Sequence, residues 1–125
     1  MARVFVDLTG TALGAGATFI AGTAGNGGAD GIGASNGQAR DATVSEDSDR
    51  FGAVVHTDQS GTLYIDGAYT RTAPNWRQLG SVAVTAGVPA DLDVPVRFPL
   101  LRTRFVNGAT ATTAAATAIH SSFRR

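Results

Sequence analysis

The chain contains no lysine, and Glu46 is its sole glutamate, so two strong helix formers are almost absent from its 125 residues. All ten of its basic residues are arginine. Alanine is abundant, but it is interleaved with Gly, Thr and Val rather than set at helical spacing. The 16 glycines and many threonines favour turns and strands over helix interiors. These features predict a predominantly β protein with at most a turn or two of helix.

A chain of this length suits one domain with a short extension. Ten basic residues balance ten acidic ones, so the net charge is zero. That balance argues against a general nucleic-acid binder, which needs a basic excess to neutralise phosphates. It argues equally against a polybasic membrane-surface protein. No apolar run approaches the roughly 18 to 20 residues of a membrane span, and no signal peptide is visible. Cysteine is absent, which removes disulfides and thiolate metal sites. The expectation is a soluble, weakly charged domain without disulfides.

Two regions differ in character. Residues 1–50 form an extended region rich in Gly and Ala, with few bulky apolar groups to bury. The run Ala24-Gly25-Asn26-Gly27-Gly28-Ala29-Asp30-Gly31-Ile32-Gly33 consists of turn formers. Alone it cannot offset an ordering entropy of about 1 to 2 kcal/mol per residue. It reads either as a flexible loop or as an arm ordered by a partner. Val4, Phe5 and Val6, then Phe19 and Ile20, are the candidate anchors on that arm. At about 3.3 Å per residue, the segment between them could cross roughly 40 Å and meet a neighbouring subunit.

Residues 51–125 carry regular strand signals and are read as a β-sandwich body. Residues 51–57 (FGAVVHT) and 62–66 (TLYID), separated by Asp58-Gln59-Ser60-Gly61, read as a hairpin. Residues 67–75 read as a loop. The strand over 76–85 is broken near Gly80, as a bulge would break it. Pro95 interrupts the strand over 91–96, which suits a sheet edge. Leu101, Thr103 and Phe105 alternate with Arg102 and Arg104, placing both arginines on one face. The arginines are therefore expected to bind carboxylates of a neighbour or of the same sandwich, although a solvated face explains them equally well. Asn107-Gly108 is a two-residue hairpin signal, with a last strand returning through 111–123.

No catalytic constellation, cofactor motif or metal-ligand set emerges. His56 and His120 lie in strands and are read as partly buried structural histidines. The glycine run lacks the Lys-Ser/Thr ending of a phosphate loop. Asp47-Ser48-Asp49-Arg50-Phe51-Gly52 echoes a calcium loop, but Phe51 fills a ligand position and Asp58 stands where a bidentate Glu is needed. Tyr64, Tyr69 and Trp76 fit either a sugar-binding platform or the core that a small sandwich needs, and the core reading has Trp76, Leu63, Ile65 and Phe105 buried together.

Ser60-Gly61-Thr62-Leu63-Tyr64-Ile65, Asn75-Trp76, Ser81-Val82-Ala83-Val84-Thr85-Ala86-Gly87 and Leu101-Arg102-Thr103-Arg104-Phe105-Val106-Asn107-Gly108-Ala109 together carry a resemblance. With them the chain resembles small β-sandwich virion proteins of tailed bacteriophages over residues 51–123. It departs from their pattern between Asp66 and Asn75, where the usual Ser-x-Asp-Gly turn is missing. The resemblance implies an all-β, antiparallel sandwich, jelly-roll-like or Ig-like, behind an N-terminal arm. It implies a non-enzymatic capsid decoration (cement) protein, made in the host cytoplasm and carried on the virion exterior. Its implied partners are the major capsid protein and itself, as a homotrimer, with no nucleic acid, membrane or cofactor. A neck, tail or baseplate accessory protein and a carbohydrate-binding module are the alternative readings. The candidate interface residues are Val4, Phe5, Val6, Phe19, Ile20, Arg102 and Arg104.

Overall fold

The computed structural model describes residues 3–10, 12–20, 40–41, 49–69, 75–98 and 100–124. Nine strands run through them: β1 Arg3–Thr9, β2 Thr18–Ile20, β3 Arg40–Asp41, β4 Arg50–His56, β5 Gly61–Ala68, β6 Arg77–Val84, β7 Ala90–Pro95, β8 Leu100–Asn107 and β9 Ala118–Arg124. The described helical structure is one 3-10 turn at Ala114–Ala116, consistent with the near absence of Lys and Glu. The strands form two antiparallel sheets, so the expected all-β sandwich is present. One sheet has the order β1-β9-β4-β7. The other has the order β2-β8-β5-β6, with β3 also pairing β8.

Alternation builds the core. Along β8, Leu101, Thr103 and Phe105 are fully buried while Arg102 and Arg104 face outward, as their spacing predicts. Phe51, Val55, Leu63, Ile65, Ile119 and Phe123 complete the interior with Phe19. Each large apolar side chain buried there contributes roughly 1.5 to 3 kcal/mol. Phe51 and Phe123 meet ring to ring with centroids 4.9 Å apart and planes tilted by 55°. One polar pair crosses the core: Thr103 Oγ1 of β8 and Ser121 Oγ of β9 share a hydrogen bond of 2.5 Å. Gly61 lets β5 and β8 close up, because a Cβ there would lie 2.5 Å from Phe105 Cζ and 2.6 Å from the Val106 carbonyl oxygen.

Several turn signals mark bends correctly but not the sheet that the chain enters next. β4 and β5 do not pair as a hairpin; they belong to opposite sheets. Asn107-Gly108 likewise ends β8 and sends the chain across to β9, and the last strand is confined to Ala118–Arg124. Buried Asn107 explains its residue type differently: its amide nitrogen donates to the carbonyls of Leu13, Gly14 and Thr110 and ties three segments together. β5 and β6 do form a hairpin within one sheet, and β5 extends through Gly67 and Ala68, which the sequence places in a loop. The bulge expected near Gly80 is present, since Ile65 pairs Gly80 while Asp66 pairs Gln78. Pro95 lies on β7, an edge strand of its sheet.

The candidate anchors of the first 50 residues lie on the chain's own sandwich rather than beyond it. Val4, Phe5 and Val6 pair with Ser122, Ser121 and His120 of β9. Phe19 pairs with Phe105, and Ile20 with Arg104. Phe19 is fully buried in the core of its own sandwich. β2 and β3 lie along the same edge of β8, one near its end and one at its start. The glycine run at 24–33 and the calcium-like opening at Asp47 and Ser48 fall outside the described residues.

Candidate functional site

β5 and β8 place alternating side chains on the outer face of their sheet. Tyr64 and Asp66 of β5 pair in register with Arg104 and Arg102 of β8. Asp66 is 2% exposed, so its carboxylate needs full compensation. It receives it from two guanidinium groups. Arg104 Nε and Nη2 donate to Oδ2 and Oδ1 at 2.9 and 3.2 Å, and Arg102 Nε donates to Oδ2 at 3.0 Å. Those hydrogen bonds hold the Arg104 guanidinium above its ordinary pKa. Each arginine also covers a ring: Arg102 lies 4.3 Å from the Trp76 ring centroid, and Arg104 lies 4.0 Å from that of Tyr64. The arginines thus bind a carboxylate of their own sandwich.

The aromatic residues correct the core reading. Leu63, Ile65 and Phe105 are buried together, but Trp76 is half-buried outside that cluster, against Ala68 and Leu100. Tyr64 is half-buried under Arg104, and Tyr69 is 70% exposed. All three stand away from the main core.

Trp76 and Tyr69 flank the β5–β6 connection and border a cleft of about 490 Å³ at one end of the sandwich. Among the described residues Asn75, Arg77 and Phe98 also line it, the last from the β7–β8 connection. Phe98 is held over Gly67, where a Cβ would lie 2.8 Å from its ring. Tyr69 leans on Phe98 with centroids 4.7 Å apart and planes tilted by 54°. A smaller recess of about 210 Å³ shares Phe98 and adds Leu79, Val94, Pro95 and Arg97. Sequence reasoning missed Asp66, Arg77, Arg97 and Phe98. Asp66 was recoverable in principle from alternation with Tyr64, but only the register with β8 shows that it serves two arginines.

The histidines are apart from this face. His56 is exposed at the end of β4, not partly buried, and His120 is half-buried on β9. Among the described residues no three His, Asp or Glu side chains gather as a metal site. Asp58 instead acts structurally. Its Oδ1 accepts the Thr113 backbone N–H at 2.9 Å and ties the β4–β5 crossing to the 3-10 turn.

The fold and these two features define an antiparallel sandwich domain with an arginine-aromatic outer face and an aromatic cleft at one end. Residues 28–119 match the family model described as "Uncharacterised protein YqxG N-terminal domain", and the chain belongs to that family. No curated protein matches it. Among solved structures, the PBSX exported protein XepA shares the fold, with a TM-score of 0.66 and 21% identity over 99% of this chain. The match occupies 37% of XepA, so this chain spans little more than a third of that protein. The Yersinia pseudotuberculosis-derived mitogen aligns over 98% of this chain and 83% of its own, with 12% identity and a TM-score of 0.44.

Proposed function

We propose that the protein is a structural component of a phage particle, attached to the outer capsid as a decoration protein and performing no chemical step. The shared fold with XepA, an exported protein of the phage-related PBSX, carries this reading. The treatment of charge supports it: Asp66 is bound by Arg102 and Arg104, and Asp93 by Arg50 at 2.9 Å. These carboxylates brace sheet faces rather than stand ready in a cavity. Pairing of the first strands with β8 and β9 supports a body that is folded before it docks. Self-association as a homotrimer belongs to the same proposal.

Quantitative mass spectrometry of purified particles, combined with sedimentation velocity of the isolated chain, tests this. The expected result is the chain in particles at a copy number proportional to the major capsid protein, and a trimer in solution. Absence from washed particles overturns the particle assignment, a copy number of a few per particle moves the chain to the neck, tail or baseplate, and a monomer overturns the trimer.

A further inference from the structure

We propose that the cleft between Tyr69, Trp76 and Phe98 is a binding site for an acidic saccharide. The lining combines the two kinds of group that such a ligand needs. A sugar ring has an apolar C–H face, and an aromatic ring offers a flat apolar surface for it. Its hydroxyls need donors and acceptors, which the Asn75 amide supplies, and its carboxylate or phosphate needs a guanidinium, which Arg77 supplies.

The rings are held in place before any ligand arrives. Phe98 rests on Gly67, with Leu79 Cδ1 bordering the same space, and Tyr69 leans on Phe98. Trp76 sits on Ala68 and Leu100 beneath Arg102, which Asp66 anchors. A ring 70% exposed yet fixed by a neighbouring ring presents contact area at little entropic cost. The preference for an anion comes from Arg77 and from Arg97 in the adjoining recess. Both are exposed, neither has an acidic partner among the described residues, and no described carboxylate lines either recess.

Size and charge narrow the ligand class. About 490 Å³ lies within the roughly 300 to 1,000 Å³ of small-molecule sites. Among the described residues five side chains line the cleft, where a stable protein interface takes roughly 20 to 30 residues a side. Arginine beside aromatic rings also suits single-stranded nucleic acid, but that mode needs a basic groove following the backbone, and this chain is neutral overall.

The full chain is applied to an array carrying uronate-bearing, phosphate-bearing and neutral saccharides, with oligothymidylate as a control. Positives are titrated in solution against the fluorescence of Trp76, the chain's single tryptophan. The expected result is binding to acidic saccharides with a change in Trp76 emission, and at least tenfold weaker binding by both Tyr69→Ala and Arg77→Ala. Both substituted side chains are exposed, so circular dichroism should show an unchanged fold. Preference for uronate over phosphate, or the reverse, identifies the source of the anionic group. No acidic saccharide bound, neutral saccharides bound equally well, oligothymidylate bound in preference, or binding unaffected in both variants would each overturn the assignment.

Discussion

Arg104 grips both carboxylate oxygens of Asp66, through Nε at 2.9 Å and Nη2 at 3.2 Å, while its guanidinium covers the Tyr64 ring. Arg102 adds a third hydrogen bond to the same carboxylate and covers Trp76. One buried acid therefore orients two arginines and, through them, two aromatic rings. This relationship connects the outer sheet face to the wall of the end cleft.

Removing the shared acid should leave two guanidinium groups facing each other without a counter-charge. Asp66→Ala is expected to cost about 3 to 5 kcal/mol, the range for breaking a buried ion pair by deleting one partner. Urea unfolding followed by circular dichroism measures this directly. A loss below about 1 kcal/mol, as for an exposed ion pair, would show that Asp66 does not organise the face.

The integration of β2 into the core makes a second expectation. Phe19 is fully buried and paired with Phe105, so Phe19→Ala should cost about 3 to 5 kcal/mol. Deleting residues 1 to 22 should for the same reason abolish cooperative unfolding, since it removes β1 and β2 together. A truncated chain with an unchanged thermal midpoint would contradict the pairing of β1 and β2 with the body.

Strand content was legible in the sequence because strand alternation has a period of two and survives without knowledge of partners. Leu101, Thr103 and Phe105 against Arg102 and Arg104 is the clearest case, and Pro95 at an edge and the bulge near Gly80 follow from backbone chemistry alone. Sheet membership was not legible. Asp58-Gln59-Ser60-Gly61 and Asn107-Gly108 specify bends, and a bend leads equally well to a neighbouring strand or across the sandwich. The same gap hid the role of Asp66, which depends on register with β8. A small sandwich needs aromatic residues for its core, which is why the sequence points Trp76 there, whereas the structure sets it against Ala68 and Leu100 outside the main cluster.

Acid should reveal the contact between Asp58 and Thr113. Hydrogen bonds from the Thr113 side chain and backbone N–H hold the Asp58 carboxyl below its usual value of 3.8. A carboxyl depressed by folding stabilises the native state above its unfolded pKa, and that contribution disappears as pH falls through the folded value. Thermal midpoints of the native chain and Asp58→Asn, compared from pH 7 to pH 2, should differ above about pH 4 and converge below it. A constant difference across that range would show that the charge of Asp58 adds nothing to this contact.

Thr103 and Ser121 offer a test of coupling between the sheets. Thr103→Val and Ser121→Ala should each cost about 1 kcal/mol or more, because each leaves a buried partner without this hydrogen bond. The double variant should cost less than the sum of the two. Strict additivity in urea unfolding would show that the two hydroxyls do not interact.

The functional proposal is tested most directly by imaging intact particles with gold-labelled chain. Attachment as a decoration protein predicts label distributed over the capsid surface, with the tail unlabelled. Label confined to the neck or tail, or absent from particles altogether, would contradict attachment to the capsid exterior.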